Sequence, residues 1–324
     1  MKKSIKKIKS KISKHIKLLK FYFLYFNKIT FKNETKAKKE IIIVFDGNFP
    51  HGGLVDRLKG IISFYQVAKN IDANFKIHFK SPFDLNEFLV PNTYNWSSTD
   101  VDLSWNPFTT KVLYLMLNFN FNPIEYIAKS NKKKFIVFCN IDYSKTINSS
   151  LNNEELNNHW SISFNELFKK SIYLDAEYSK LNIKENAVAI HTRFTSLFGD
   201  FKDSPKNIAT LERKKEIKND LKKEIDTIAF ENQSKNIYVF SDSIQFLDFI
   251  KLETNYIVLD GKPKHIDSYK SSNQLDSHIK TFLDFYAIST CEKVFLIRTK
   301  DMYNSAFSKY AAIVGNKVFK VNNI

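Results

Sequence analysis

The chain of 324 residues is 43% hydrophobic, with 30 phenylalanines and a formal net charge of +16, so it reads as a folded soluble body with ample material for cores. Its two cysteines, Cys139 and Cys291, each sit in an apolar run, which excludes a disulfide framework and predicts buried, reduced thiols in a reducing compartment. Residues 1–40 hold 14 Lys against 2 Glu, or +12, leaving +4 for the rest; the body is only mildly basic and lacks the charge of a nucleic-acid groove.

In chain order, the lysine-rich segment comes first. Ile5, Ile8, Ile12, Ile16 and Leu19 recur at steps of three and four, which predicts a helix with one apolar stripe and lysines over its other surface. The run LLKFYFLYF (18–26) follows; it is too short to span a bilayer and lacks the cleavage site of a signal peptide. A basic amphipathic helix followed by aromatics suits an anionic membrane surface. Residues 1–40 are therefore expected to associate with one, the alternatives being a packing extension or a nucleic-acid contact.

Runs rich in β-branched and aromatic residues predict buried strands at 41–45, 75–79, 135–141, 187–192, 237–242, 256–260, 293–297 and 317–321. Helical patterns cover Leu54 to Asn70, Thr210 to Asn232, Ser243 to Leu252, Leu275 to Thr290 and Tyr303 to Val314. Strand and helix in alternation argue for an α/β protein with parallel sheets covered on both faces. The second half supplies a doubly wound domain, and the first half a further α/β unit with an irregular stretch from Pro82 to Tyr126. The polar run 148–159, NSSLNNEELNNH, is the expected linker, giving an extension (1–40) and domains at 41–160 and 161–324.

Four of the chain's seven glycines fall in FDGNFPHGGLVDRLKG, residues 45–60. Gly52 and Gly53 lie between a predicted strand and helix, where positive φ and close approach of a ligand are possible and the helix N-terminus suits a phosphate. The run fits neither the dinucleotide fingerprint nor the P-loop. Arg57 falls on the first helical turn, facing either Asp56 or the same ligand.

Strand 187–192 ends in His191-x-Arg193, and parallel sheets bind ligands at the carboxyl ends of their strands. Arginine grips a diphosphate with a planar fork; histidine orients it. Strand 237–242 ends at Asp242 and Ser243, both preferred helix caps. The last strand-to-helix connection carries Ser305, Phe307 and Ser308, whose hydroxyls and amides suit phosphate oxygens.

The set G-G-L-x-D-R-L-x-G-I, V-x-I-H-x-R, F-S-D-S and D-F-x-x-I-S … S-x-F-S-x-x-A, in this order, resembles the fucosyltransferase superfamily over about residues 41–321. The resemblance implies a GT-B-like fold of two Rossmann-like doubly wound domains facing a cleft, acceptor-side at 41–160 and donor-side at 161–324. It implies an inverting, metal-independent enzyme using a GDP-sugar, usually GDP-fucose, as donor substrate. Arg193 would grip the leaving diphosphate with His191 beside it. Asp242, Ser243, Ser305, Phe307 and Ser308 would surround the nucleotide, and Gly52, Gly53 and Arg57 would face the donor. Inversion calls for a carboxylate base, expected at Asp200, with Asp203 and Asp56 as alternatives.

The expected setting is the inner face of a bacterial cytoplasmic membrane, with a glycan or lipid-linked glycan of capsule or lipopolysaccharide as acceptor. Two other readings stay open: an inactive sugar- or nucleotide-binding scaffold of this fold, and a metal-dependent UDP-sugar transferase using Asp100-x-Asp102. His265-x-Asp267 is expected to be a loop and no metal site.

Overall fold

A computed structural model describes residues 15–31, 37–184, 186–201, 208–233, 236–264, 266 and 276–324. Along the chain run α1 (15–24), β1 (Glu40–Phe45), α2 (Leu54–Asn70), β2 (Asn74–Phe79), β3 (Leu89–Pro91), β4 (Thr110–Tyr114), α3 (Pro123–Lys129), β5 (Lys134–Phe138) and α4 (Ser144–Ile147). They continue with α5 (Asn153–Leu167), β6 (Phe168–Lys170), α6 (Ile172–Ser179), β7 (Val188–Thr192), α7 (Leu211–Glu231), β8 (Ile237–Ser241), α8 (Ile244–Glu253), α9 (Asp276–Thr290), β9 (Lys293–Arg298), α10 (Phe307–Val314) and β10 (Val318–Asn323). Two compact units result, one of residues 1–52, 56–81 and 93–152, the other of 53–55, 82–92 and 153–324.

The first unit is built on a four-stranded sheet in the order β2-β1-β5-β4, parallel throughout. A parallel strand covered on both faces needs an unbroken apolar run, and Ile41 to Phe45 on β1 are all fully buried. Helix α2 crosses the end of β5 closely: a Cβ on Gly60 would lie 2.2 Å from the Cys139 carbonyl oxygen, a separation only glycine permits. Phe21 and Tyr25 of the α1 segment pack into the core of Val44, Trp105 and Phe138, and Trp105 Nε1 donates to the Tyr25 carbonyl at 2.8 Å. Leu18, Phe21, Tyr25 and Ile29 of the segment expected as an extension are thus packed in or against this unit's core.

The second unit holds another parallel four-stranded sheet, β10-β9-β7-β8. Its core joins Ile190 of β7, Ile217 to Ile228 along α7, and Phe246 and Ile250 of α8. Segment 82–92 belongs here: β3 pairs antiparallel with β6, and Phe88 stacks on Phe282 of α9 with ring centroids 4.4 Å apart.

Several expectations are corrected. Residues 153–159 of the supposed linker are the first turns of α5, whose buried Leu156, Trp160, Phe164 and Leu167 form a stripe too narrow to stand out among asparagines. The run 256–260 contributes only an isolated bridge from Ile257 to Tyr238. Helix α10 begins at Phe307, four residues after the expected start. Strands β3, β4 and β6 have only 3, 5 and 3 residues, too short for a periodic signal. Both cysteines are buried and free, and burial pushes each thiol up to about 12.

Candidate functional site

Strands β7 and β8 run parallel with Thr192 opposite Ser241, so the residues that follow, Arg193 and Asp242, leave adjacent strands at the same level. Arg193 Nε lies 3.2 Å from Asp242 Oδ2, and its guanidinium stacks over the Phe201 ring at 4.7 Å. Asp242 also accepts from the backbone amides of Phe194 at 2.8 Å and Thr195 at 2.7 Å. Burial raises the Asp242 carboxyl; the Arg193 charge and the two amides oppose it. Thr195 is held at φ +55°, a left-handed conformation that a β-branched residue adopts only under constraint. The carboxylate thus clamps the turn that carries Arg193.

His191, on β7 and 5% exposed, places Nδ1 3.0 Å from Ser308 Oγ on the first turn of α10. Its ring lies 5.7 Å from that of Phe307. Burial, and then the Arg193 charge, lower its pKa to about 3, so the imidazole is neutral at physiological pH. The N-terminus of α10 has no side-chain cap at Ala306; Ser305 Oγ accepts from the Phe307 amide at 3.2 Å, and the Tyr303 amide donates to the Arg193 carbonyl at 3.1 Å. Arg193, His191, Ser305, Phe307 and Ser308 are therefore brought together at the strand ends. A fixed guanidinium beside a helix N-terminus forms a cradle for a multiply charged anion.

Ser243 is the N-cap of α8, accepting from the Phe246 amide at 3.2 Å. Its hydroxyl donates to Asp200 Oδ2 at 2.8 Å, and the Gln245 amide donates to the same oxygen at 2.8 Å. Asp200 Oδ1 is buried without a hydrogen-bond partner among the described residues. Asp200, the carboxylate expected to receive the acceptor proton, ties the turn after Arg193 to α8 through Oδ2. Asp203, His265 and Asp267 lie outside the described residues.

In the first unit, Gly52 adopts φ +80° and a Cβ there would meet the Asp56 carboxylate at 2.9 Å. Arg57 is 2% exposed. Its Nε donates to the Gly52 carbonyl at 3.0 Å and its Nη1 to the Ser81 carbonyl, and the guanidinium lies 4.8 Å from the Phe79 ring. Arg57 thus ties the glycine turn to the segment at Ser81. Gly53 adjoins that turn. Asp56 is 44% exposed and pairs with Lys59 at 3.0 Å.

One cluster escaped the sequence reading. At the carboxyl end of β1, Asp46 accepts from the Tyr25 hydroxyl and from the Asn48 amide at 2.9 Å, and Oδ1 lies 3.3 Å from His51 Nε2. Burial would raise this carboxyl, but the hydrogen bonds from His51, Tyr25 and Asn48 outweigh it and hold it at about 2. Its partners are 21, 2 and 5 residues away, and no motif in the sequence links them.

Asp102, half of the D-x-D pattern, is committed elsewhere. It pairs with Lys76 at 2.5 Å and accepts from the Thr99 amide at 2.8 Å, closing a capping box on the short turn Asp100–Leu103. Asp100 is 80% exposed and 3.8 Å from His78. The pattern is accounted for as a helix start.

No protein-family model and no curated protein matches this sequence. Among solved structures, a variant of FUT1 from Arabidopsis thaliana in complex with GDP is similar over 93% of this chain and 73% of that one, with a TM-score of 0.57 and 13% identity. NodZ alpha-1,6-fucosyltransferase soaked with GDP-fucose is similar over 86% of this chain and 93% of that one, with a TM-score of 0.51 and 14% identity. The fucosyltransferase NodZ from Bradyrhizobium gives the same coverage and TM-score at 13% identity. The chain has the mixed α/β, parallel-sheet, GT-B-like fold of the fucosyltransferases, as the resemblance in its motifs implied.

Proposed function

We propose that the protein is an inverting, metal-independent glycosyltransferase that moves fucose or a related 6-deoxy sugar from a GDP-sugar to a hydroxyl of a glycan. The observation that carries this is the anchored pair Arg193–Asp242 at the carboxyl end of β7, next to the start of α10, in a fold shared with proteins crystallised with GDP. As the bond from the anomeric carbon to the diphosphate oxygen breaks, negative charge builds on the leaving group, and a preorganised guanidinium and helix N-terminus stabilise it without reorganising. His191, neutral and fixed by Ser308, orients the cradle. The acceptor oxygen forms the new bond to the anomeric carbon and gives its proton to a carboxylate; Asp56, whose side chain is 44% exposed beside the glycine turn, suits that role better than Asp200, whose Oδ2 two donors already engage.

Membrane association through residues 1–40, a cytoplasmic location and a role in bacterial surface polysaccharide are part of the same proposal, supported by the lysine-rich amphipathic sequence. The test is thermal stabilisation by GDP, UDP, CMP and ADP with and without magnesium, for the wild type and Arg193→Ala. A ligand at a hundredfold excess over Kd stabilises by about 2.7 kcal/mol. The expected result is a GDP shift that needs no magnesium and is lost in Arg193→Ala. A magnesium-dependent UDP shift would instead support the metal-dependent reading, and GDP binding without slow release of GDP from the donor would support a scaffold.

A further inference from the structure

Helix α1 carries more apolar surface than the fold uses. A helix on a globular body needs one apolar stripe, and Leu18, Phe21 and Tyr25 provide it: all three pack against the first unit's core. A second stripe points away. Ile16 is 59% exposed, Leu19 67%, Phe23 83% and Phe26 71%, and they follow one another at steps of three, four and three. Large aromatics left exposed in a contiguous patch mark an interaction surface.

Two further observations say what covers it. The lysines within α1 turn to the body: Lys17 Nζ sits over the Tyr114 ring at 4.6 Å, and Lys20 Nζ donates to the Asn48 carbonyl at 2.6 Å. The outer stripe is therefore not interrupted by charge. In the sequence, its spacing continues upstream through Ile12, Ile8 and Ile5, across residues 1–14, which hold seven lysines and no acidic residue. An apolar aromatic face joined to a cationic run matches an anionic lipid surface, where the face enters the acyl boundary and the lysines meet headgroups.

We infer that the outer face of α1 and of the short turn Phe26–Lys28 that follows it, formed by Ile16, Leu19, Phe23 and Phe26, is the part of the protein that inserts into an anionic bilayer; this rests on the membrane reading above and assigns its contact surface. The inner face, fixed in the core, would hold the carboxyl end of β1 at a set distance from the lipid.

The experiment is co-sedimentation of the full chain with phosphatidylcholine vesicles and with phosphatidylcholine–phosphatidylserine vesicles. Phe23→Trp supplies a fluorescent reporter, because Trp96, Trp105 and Trp160 are all buried. The wild type should bind the anionic vesicles, Phe23→Trp emission should shift to the blue on binding, and the double variant Phe23→Ser, Phe26→Ser should partition at least about tenfold more weakly at unchanged thermal stability. Anionic binding that the double variant retains, with no blue shift, would overturn the insertion face and leave lysine attraction alone. No wild-type binding would overturn the membrane reading itself. A dimer that the double variant dissociates would assign the face to a second copy of the chain and overturn insertion.

Discussion

Arg193 and Asp242 form an ion pair of unequal exposure, 19% against 2% at 3.2 Å. The buried partner also takes the amides of Phe194 and Thr195, so it fixes the turn while the arginine keeps a surface for a ligand. Asp242→Ala leaves two buried amides and a cation without their partner. It should lower stability by about 3–5 kcal/mol and abolish GDP stabilisation, read by urea unfolding and by the thermal titration. Arg193→Ala should abolish the same GDP shift at smaller cost to folding, since Asp242 keeps both amides.

The buried His191 makes stability depend on pH. Its pKa is lowered from 6.5 to about 3, by burial and then by Arg193. Between those values the unfolded chain takes up a proton that the folded chain does not, so the contribution is complete above pH 6.5 and declines as pH falls towards about 3. His191→Gln should flatten the stability curve in that window by about 1.4 kcal/mol per pH unit, measured as urea midpoints across the range. Ser308→Ala, which removes only the hydroxyl partner, should leave the slope in place.

Asp46 has the depressed carboxyl of the opposite unit, about 2 against 3.8. Its contribution is present above pH 3.8 and is lost as pH falls through about 2, amounting to about 2 kcal/mol. Acid titration followed by tryptophan fluorescence should show Asp46→Asn less sensitive than the wild type over this lower window.

The two glycine demands near the first turn differ in kind and should rank clearly. Gly60→Ala forces a Cβ to 2.2 Å from backbone oxygen, which cannot yield, and should cost about 3 kcal/mol. Gly52→Ala meets a side chain that can swing aside and suffers mainly from its positive φ, about 1–2 kcal/mol. Calorimetric melting temperatures of the two variants decide the order.

Asp200 and Asp56 separate positioning from proton transfer. Asp200→Asn weakens the cap on α8 and should cost about 1 kcal/mol of stability, with kcat falling no further than the loss of folded protein explains. Asp56→Asn should lower kcat by about 10²–10⁴-fold while GDP stabilisation persists. The reverse pattern in steady-state transfer would return the base to Asp200.

Much of this was legible in the sequence for a physical reason. Strands buried on both faces, such as Ile41 to Phe45 and Val188 to Thr192, appear as unbroken apolar runs, and α2 appears complete because a glycine turn precedes it and an amphipathic stripe fills it. His191, Arg193 and Asp242 stand out in the sequence because strand ends are where such sheets place ligand-binding groups, and the structure puts all three at the ends of β7 and β8. Which way a side chain turns was not legible. Arg57 has the same charge whether it faces a ligand or reaches back five residues to Gly52, and Asp200 finds Ser243 across 43 residues of chain. Asp46 and Tyr25 were missed because a hydrogen bond between distant segments leaves no spacing to read.

The pairing of β3 with β6 sets the order in which the protein can be completed. Residues 82–92 leave the ribosome before the last part of the first unit, 93–152, yet their strand partner, 168–170, arrives only after residue 152 has closed that unit. During synthesis the early segment must wait with Phe83, Phe88 and Leu89 unburied, a period in which holdase chaperones would be its natural cover. A gene fragment beginning at residue 153 would in turn translate a body whose α9 lacks the Phe83 and Phe88 rings that pack on Phe282.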